Sequence, residues 1–164
     1  MPIEGIEQPD ILEITPSLRL RRYDGHFSFA IPWYRDAATL MLVDGKNEPY
    51  DLKRLERMYA YLNAHGELYF IEIPEGGSFR PIGDVTFWQD DMPIVIGDPA
   101  WRGRGVGKRV VTALVARARS LGFQTLHIDE IYSFNEESRR LFVSCGFRAY
   151  EETERGHRYV LSLI

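Results

Sequence analysis

Eleven residues carry most of the chemistry that this sequence can do. They run from Asp98 to Lys108 and read Asp-Pro-Ala-Trp-Arg-Gly-Arg-Gly-Val-Gly-Lys. Gly103, Gly105 and Gly107 strip side chains from a turn. Bare backbone lets several N–H groups converge on one anion, and a helix starting there adds its positive end. Arg102, Arg104, Lys108 and Arg109 crowd charge beside the turn, and Val106 is its one aliphatic. Such a loop suits a pyrophosphate. A plain tight turn is the simpler reading, but it leaves the basic residues unexplained.

Two phosphate loops fail on spacing. A P-loop needs Gly, four residues, then Gly-Lys-Ser/Thr, and from Gly103 the second Gly would fall on Lys108. The dinucleotide pattern G-x-G-x-x-G fails at the same residue. A nucleotide-binding regulatory domain is therefore the weakest reading. Arg102-x-x-Gly105-x-Gly107 remains.

The elements around this loop can be read from periodicity. Leu18–Tyr23 reads as a first strand and Ala37–Val43 as a short helix. Asp51–Ala64 places Leu52, Leu55, Met58, Tyr59 and Leu62 at helical spacing, with Gly66 after it. Glu67–Ile73, Pro81–Trp88 and Pro93–Ile96 read as strands of an antiparallel meander, turning at Glu75–Ser78 and Gln89–Asp91. Val106–Leu121 is the strongest helix, with Val106, Val110, Val111, Leu114, Val115, Ala118 and Leu121 on one stripe. Thr125–Ile131 is a strand, and Asn135–Cys145 a helix that Asn135 can cap. Phe147–Glu152 and His157–Leu163 close the chain as strands. Strand, helix, strand from Ile94 to Ile131 predicts a parallel pair with a crossover. The expected fold is α/β: one domain over residues 1–164, with a mixed, mostly antiparallel sheet of 6–7 strands and about four helices.

Loop and placement together resemble the acyl-CoA signature R/Q-x-x-G-x-G/A of the GNAT superfamily of N-acetyltransferases. A second stretch, Asn135-Glu-Glu-Ser138-Arg-Arg-Leu141-Phe142-Val-Ser-Cys-Gly146-Phe147, is similar to that family's fourth helix. The two motifs span Ile94–Phe147. Ile96-Gly-Asp-Pro99, Ser138 and the terminal Gly-Phe also resemble the branch of ribosomal-protein N-terminal acetyltransferases.

The resemblance implies a reaction and a site. The chain would transfer acetyl from acetyl-CoA to a primary amine by direct attack in a ternary complex. A peptide N-terminus, lysine, polyamine, amino acid or antibiotic would each supply such an amine. Arg102, Gly103, Arg104, Gly105, Val106, Gly107 and Lys108 would hold the pyrophosphate. Backbone of Ile94, Val95 and Ile96 would bind the pantetheine arm, and Asn135, Ser138 and Phe142 would line the acyl end. A backbone N–H would meet the oxyanion. Trp33 and Tyr34 would wall the acceptor. A lysine-like amine has a pKa of about 10.4, so a base is needed. Glu130, Asp129, Asp84 and Glu72 are the options, and Glu130, at the end of its strand, is preferred. Asp129 alternates with it and should face the other way.

One position departs from the family. The Tyr that usually protonates the departing thiolate is Phe142, which has no proton to give. Ser138, Tyr132, Tyr150 or water would take its place. This substitution motivates a second hypothesis, an acyl-CoA-binding sensor with little catalysis.

Composition limits the remaining readings. Of 164 residues, 45% are apolar and 13% aromatic, enough for a folded core. Net charge is −4, so no global basic field recruits nucleic acid. The only cysteine, Cys145, reads as a packing residue, and no disulfide can form within the chain. His127 reads as structural; His26, His65 and His157 are scattered, so no metal is expected. Asp90 and Asp91 read as a hairpin turn. No apolar run is long enough for a transmembrane helix, and the first ten residues lack the features of a signal peptide. A cytoplasmic monomer or homodimer, with an amine acceptor as its partner, is expected.

Overall fold

Alternating apolar residues and tight glycine turns build the first part of the chain into a meander, and a computed structural model describes it through all of residues 1–164. The elements are β1 (Ile11–Thr15), β2 (Leu18–Arg22), α1 (Ala37–Asp44), α2 (Leu52–His65), β3 (Glu67–Glu75), β4 (Ser78–Phe87), β5 (Ile94–Ile96), α3 (Val106–Ser120), β6 (Thr125–Tyr132), α4 (Glu136–Ser144), β7 (Arg148–Glu152) and β8 (Gly156–Ser162). Short 3-10 helices lie at Ser28–Ala30, Trp33–Arg35 and Pro99–Trp101. No helix is long and apolar enough to cross a membrane.

The chain divides into two compact units, Met1–Thr86 with Ile94–Arg102, and Phe87–Pro93 with Gly103–Ile164. The first holds a five-stranded sheet ordered β1-β2-β3-β4-β5. The predicted first strand is in fact the second. β1 precedes it and pairs with it antiparallel, Ile11 opposite Arg21. None of β1's five residues is buried, so no burial stripe marked it. Helix α2 starts on Asp51, whose carboxylate accepts from the Arg54 N–H at 2.7 Å, and buries Leu55, Tyr59 and Leu62. Their spacing by four and three residues puts them on one face.

Rings fill this unit's core. Phe70 is fully buried and lies within 4.6–6.4 Å, centroid to centroid, of Phe29, Tyr59, Tyr23 and Trp33. Glu72 is buried beside it on β3. Arg19 and Arg21, two apart on β2, grip its two oxygens at 2.9 and 2.8 Å. That pairing makes a buried carboxylate tolerable and commits Glu72 to structure.

The second unit holds a three-stranded sheet ordered β6-β8-β7. Val106, Val110, Val111, Leu114, Val115 and Ala118 form the buried stripe of α3 as expected, whereas Leu121, also expected on it, is the C-cap and only half-buried. Phe142, Phe147, Leu126 and Leu161 are also buried in this unit. The α/β class and the antiparallel majority therefore hold, with eight strands in two sheets rather than six or seven in one.

The parallel pair predicted between β5 and β6 does not form. β5 ends one sheet, paired to β4, and β6 ends the other, paired to β8. Within the second unit, the segment after β4 bonds to β6 instead. Gln89 O accepts from the His127 N–H at 2.9 Å, and Asp91 Oδ1 from the Asp129 N–H at 3.1 Å.

Phe70→Ala removes a ring from the middle of the aromatic core. The expected cost is about 3–5 kcal/mol, measured as a lowered midpoint in urea at unchanged slope.

Candidate active site

The loop that opens α3 is shaped by two left-handed residues. Gly103 has φ +72° and Gly105 φ +78°. That region costs other residues roughly 1–2 kcal/mol. Gly105 is the N-cap of α3, and as glycine it places no side chain over the helix end. The first turn contains no acidic residue, while Lys108 and Arg109 are exposed on it. The N–H groups that open a helix have no partner within it, and they carry the positive end of the dipole. An uncapped helix end of this kind has the free donors and the dipole that suit an anion.

Gly107 serves a different purpose. A Cβ there would lie 3.1 Å from Leu141 Cδ2. The third glycine lets α4 approach α3 closely. Val106 beside it is buried in the helix stripe.

Before the loop, side chains brace the backbone. Asp98 caps the Pro99–Trp101 turn through the Ala100 N–H at 2.9 Å. Its other oxygen takes Arg80 Nη1 at 2.8 Å, and that bond holds the Asp98 carboxyl below its usual range. The Arg102 guanidinium is likewise committed. Nε donates to Ile96 O at 2.9 Å, and Nη2 donates to Thr39 Oγ1 and lies 3.8 Å from Asp36. Asp36 caps α1 through the Thr39 N–H, which is the main reason its carboxyl is lowered. Arg102 thus ties the end of β5 to the start of α1, and its side chain is occupied by the protein itself. Arg104 is exposed.

Ile94, Val95 and Ile96 are half-buried on β5, with Val95 opposite Asp84 and Ile96 opposite Gly83. Trp33 and Tyr34 both face inward and are buried. Trp33 lies directly against Gly97, where any Cβ would strike the indole. Pro32, Trp33, Asp36, Gly97, Asp98 and Pro99 line a cleft on this unit.

In the second unit, Asn135 caps α4 as predicted, its Oδ1 accepting from the Ser138 N–H at 3.1 Å. Ser138 is half-buried on the first turn. Phe142 is buried edge-on to Phe147 at 5.3 Å. Glu130 is exposed and accepts from Thr153 Oγ1 at 2.6 Å. The expected alternation of Asp129 and Glu130 fails because β6 shifts register between Ile128 and Ile131. A bulge there exposes both carboxylates. Asp91 holds the N–H groups of Met92 and Asp129, and burial pushes its carboxyl up to about 6.

Sequence reasoning named Asp84 only as one option among four. It sits on β4 at 2% exposure. The hydroxyls of Tyr34 and Tyr59 donate to its Oδ2 at 2.7 and 2.8 Å. Burial pushes its carboxyl up to about 6 although both phenol bonds act the other way. Its sequence signal is one carboxylate inside the run Ile82–Phe87. Thr86 lies two residues on, and no signal marked it. No group of three or more His, Cys, Asp or Glu residues is arranged to hold a metal.

Gly105→Ala forces an L side chain into the left-handed region. The variant is expected to unfold about 1–2 kcal/mol more easily, measured by denaturant titration. Ala at position 103 should behave similarly, since both glycines have space around them and only φ opposes the methyl.

Comparison with known proteins agrees with this architecture. Residues 30–147 match the Acetyltransferase (GNAT) family. No curated protein matches the sequence. A domain from Methanocaldococcus jannaschii DSM 2661 is similar with a TM-score of 0.75 and 20% identity, over 89% of this chain and 98% of that one. The aminoglycoside acetyltransferase AAC(6')-Ib in complex with coenzyme A gives 0.72 and 16%, over 90% and 95%. A GNAT-family acetyltransferase from Bacillus anthracis gives 0.71 and 12%, over 93% and 98%. At these identities the structural likeness is one of fold. The family match covers well over half of the 164 residues, and the chain belongs to the GNAT acetyltransferase family.

Proposed function

We propose that residues 1–164 act as one acetyl-CoA-dependent N-acetyltransferase domain whose acceptor is a primary amine. One observation carries the reading. The N-terminus of α3 has no side-chain cap, and Gly103, Gly105, Lys108 and Arg109 surround it inside the family match. In this reading the backbone from Gly103 to Lys108 holds the pyrophosphate of acetyl-CoA. Arg104 and Lys108 add charge, and Arg102 contributes through its backbone because its side chain is occupied. The β5 backbone at Ile94, Val95 and Ile96 takes the pantetheine arm. Asn135, Ser138 and Phe142 lie toward the acyl end, and Trp33 and Tyr34 shape the acceptor side. The solved complexes of AAC(6')-Ib with coenzyme A support the choice of cosubstrate. The single cysteine and the lack of a membrane-length apolar helix are consistent with a cytoplasmic enzyme.

The chemistry sets two proton problems. An amine with a pKa of about 10.4 is neutral in only about one molecule in 2,500 at pH 7. Something must take its proton before it can attack. The departing thiolate, with a pKa of about 8.5, needs less help. Ser138 on the first turn of α4 has the hydroxyl that Phe142 lacks, and it fits that second role. Two carboxylates compete for the first: exposed Glu130 and buried Asp84. Bringing amine and thioester together supplies much of the remaining acceleration.

The test is release of free thiol from acetyl-CoA in the presence of peptide N-termini, lysine, polyamines, amino acids and aminoglycosides. The expected result is turnover with at least one of these amines. Binding of acetyl-CoA with no turnover by any of them would support the alternative, an acyl-CoA sensor, which the Phe142 substitution favours.

A further inference from the structure

The buried polar groups of β4 are not all used by the protein. Both phenols that bond to Asp84 end on Oδ2, and neither reaches Oδ1. Thr86 is fully buried, and its Oγ1 has no hydrogen-bond partner. Residues two apart on a strand face the same side, and β4 keeps a regular register with β5 through Gly83, Asp84 and Val85. Asp84 and Thr86 therefore present two oxygens along one face, about 7 Å apart at their backbones. A buried hydroxyl without a partner carries its desolvation cost uncompensated. A purely structural staple would not leave the Thr86 hydroxyl buried without a partner.

Both oxygens are acceptors, so the group that would complement them is a donor, cationic or polar. An ammonium supplies three N–H donors and a charge opposite to Asp84. One nitrogen, alone or with a bridging water, can bond both oxygens. We infer that Asp84 and Thr86 form the seat of the acceptor's ammonium group, with Asp84 taking its proton.

This inference rests on the transferase reading and names the base within it. Asp84 Oδ1 takes one proton from the ammonium and leaves a neutral amine. The nitrogen lone pair forms the C–N bond to the thioester carbonyl carbon, and the C–S bond breaks with its electron pair on sulfur. The surplus proton on nitrogen passes to that thiolate through water. The products are an amide and a thiol, and Asp84 returns its proton to solvent. Tyr34 and Tyr59 hold the carboxylate in place and are positioning residues.

The surroundings set the pH behaviour. Tyr34 faces Asp84 from the 3-10 helix and Tyr59 from α2, with the Tyr23 ring tilted against Tyr59 at 5.5 Å. From β5 the opposite residue is Val95. No cation sits on the carboxylate, so burial holds its pKa up to about 6. Below that pH Asp84 carries a proton already and cannot accept another. Activity should fall as pH falls through about 6.

The experiment is kcat/KM against pH, with acetyl-CoA and one amine that the wild type acetylates, for wild type, Asp84→Asn, Thr86→Val, Tyr34→Phe and Glu130→Gln. Asn can still accept from both phenols, so Asp84→Asn should fold. It should lose at least 100-fold in kcat/KM and lose the acidic limb, with acetyl-CoA affinity unchanged. Thr86→Val should raise KM for the amine about tenfold with a smaller effect on kcat. Tyr34→Phe removes a bond that lowers the carboxyl pKa, so its acidic limb should move to higher pH. A folded Asp84→Asn variant that keeps the wild-type rate and limb would overturn the inference and leave the transferase reading intact. Loss of the limb in Glu130→Gln, with Asp84→Asn unaffected, would do the same and restore Glu130 as the base. A wild type that binds acetyl-CoA but acetylates no amine would overturn both readings together.

Discussion

A helix end left without a side-chain cap is the constraint behind the second unit. The positive end of α3 can receive a phosphate only if no carboxylate or hydroxyl has already capped it. Gly105 at the N-cap meets that condition, and its φ of +78° turns the chain into the helix at a residue with no Cβ. The helix then needs another source of stability. Its buried stripe of Val106, Val110, Val111, Leu114, Val115 and Ala118 supplies it, at about 1.5–3 kcal/mol for each large aliphatic. Strong packing along the helix lets its first turn stay open.

The first unit handles charge in two opposite ways. Glu72 is buried with two arginines on its oxygens and is a closed structural pair. Asp84 is buried to a similar degree with two neutral phenols and no cation. The two arginines close Glu72 into an ion pair, whereas burial among phenols pushes the Asp84 carboxyl up to about 6. Position alone does not separate them, since both lie on central strands of one sheet. The partners do. The same logic distinguishes Arg102, turned inward to Ile96, Thr39 and Asp36, from exposed Lys108 and Arg109.

Much of this was legible in the sequence, and the exceptions have physical causes. The α3 stripe and its glycine loop were readable because periodicity and turn chemistry are local. Asn135 as the cap of α4 was readable for the same reason. β1 was missed because it buries no residue. The split into two sheets was missed because strand pairing is non-local. The outer edge of β6 bonds to Gln89 and Asp91, a choice that no periodicity encodes. The alternation of Asp129 and Glu130 was misread because a bulge changes the count. Thr86 gave no signal, since threonine is an ordinary strand residue and its missing partner exists only in three dimensions.

The central claim is that the open end of α3 binds acetyl-CoA, and calorimetry tests it most directly. The comparison is wild type against a variant with Lys108→Glu and Arg109→Glu. Acidic residues in the first turn of a helix stabilise it, so the variant should stay folded by circular dichroism while repelling a pyrophosphate. The account predicts acetyl-CoA binding by the wild type and at least a tenfold loss in the folded variant. No binding by the wild type, or equal binding by both proteins, would contradict it.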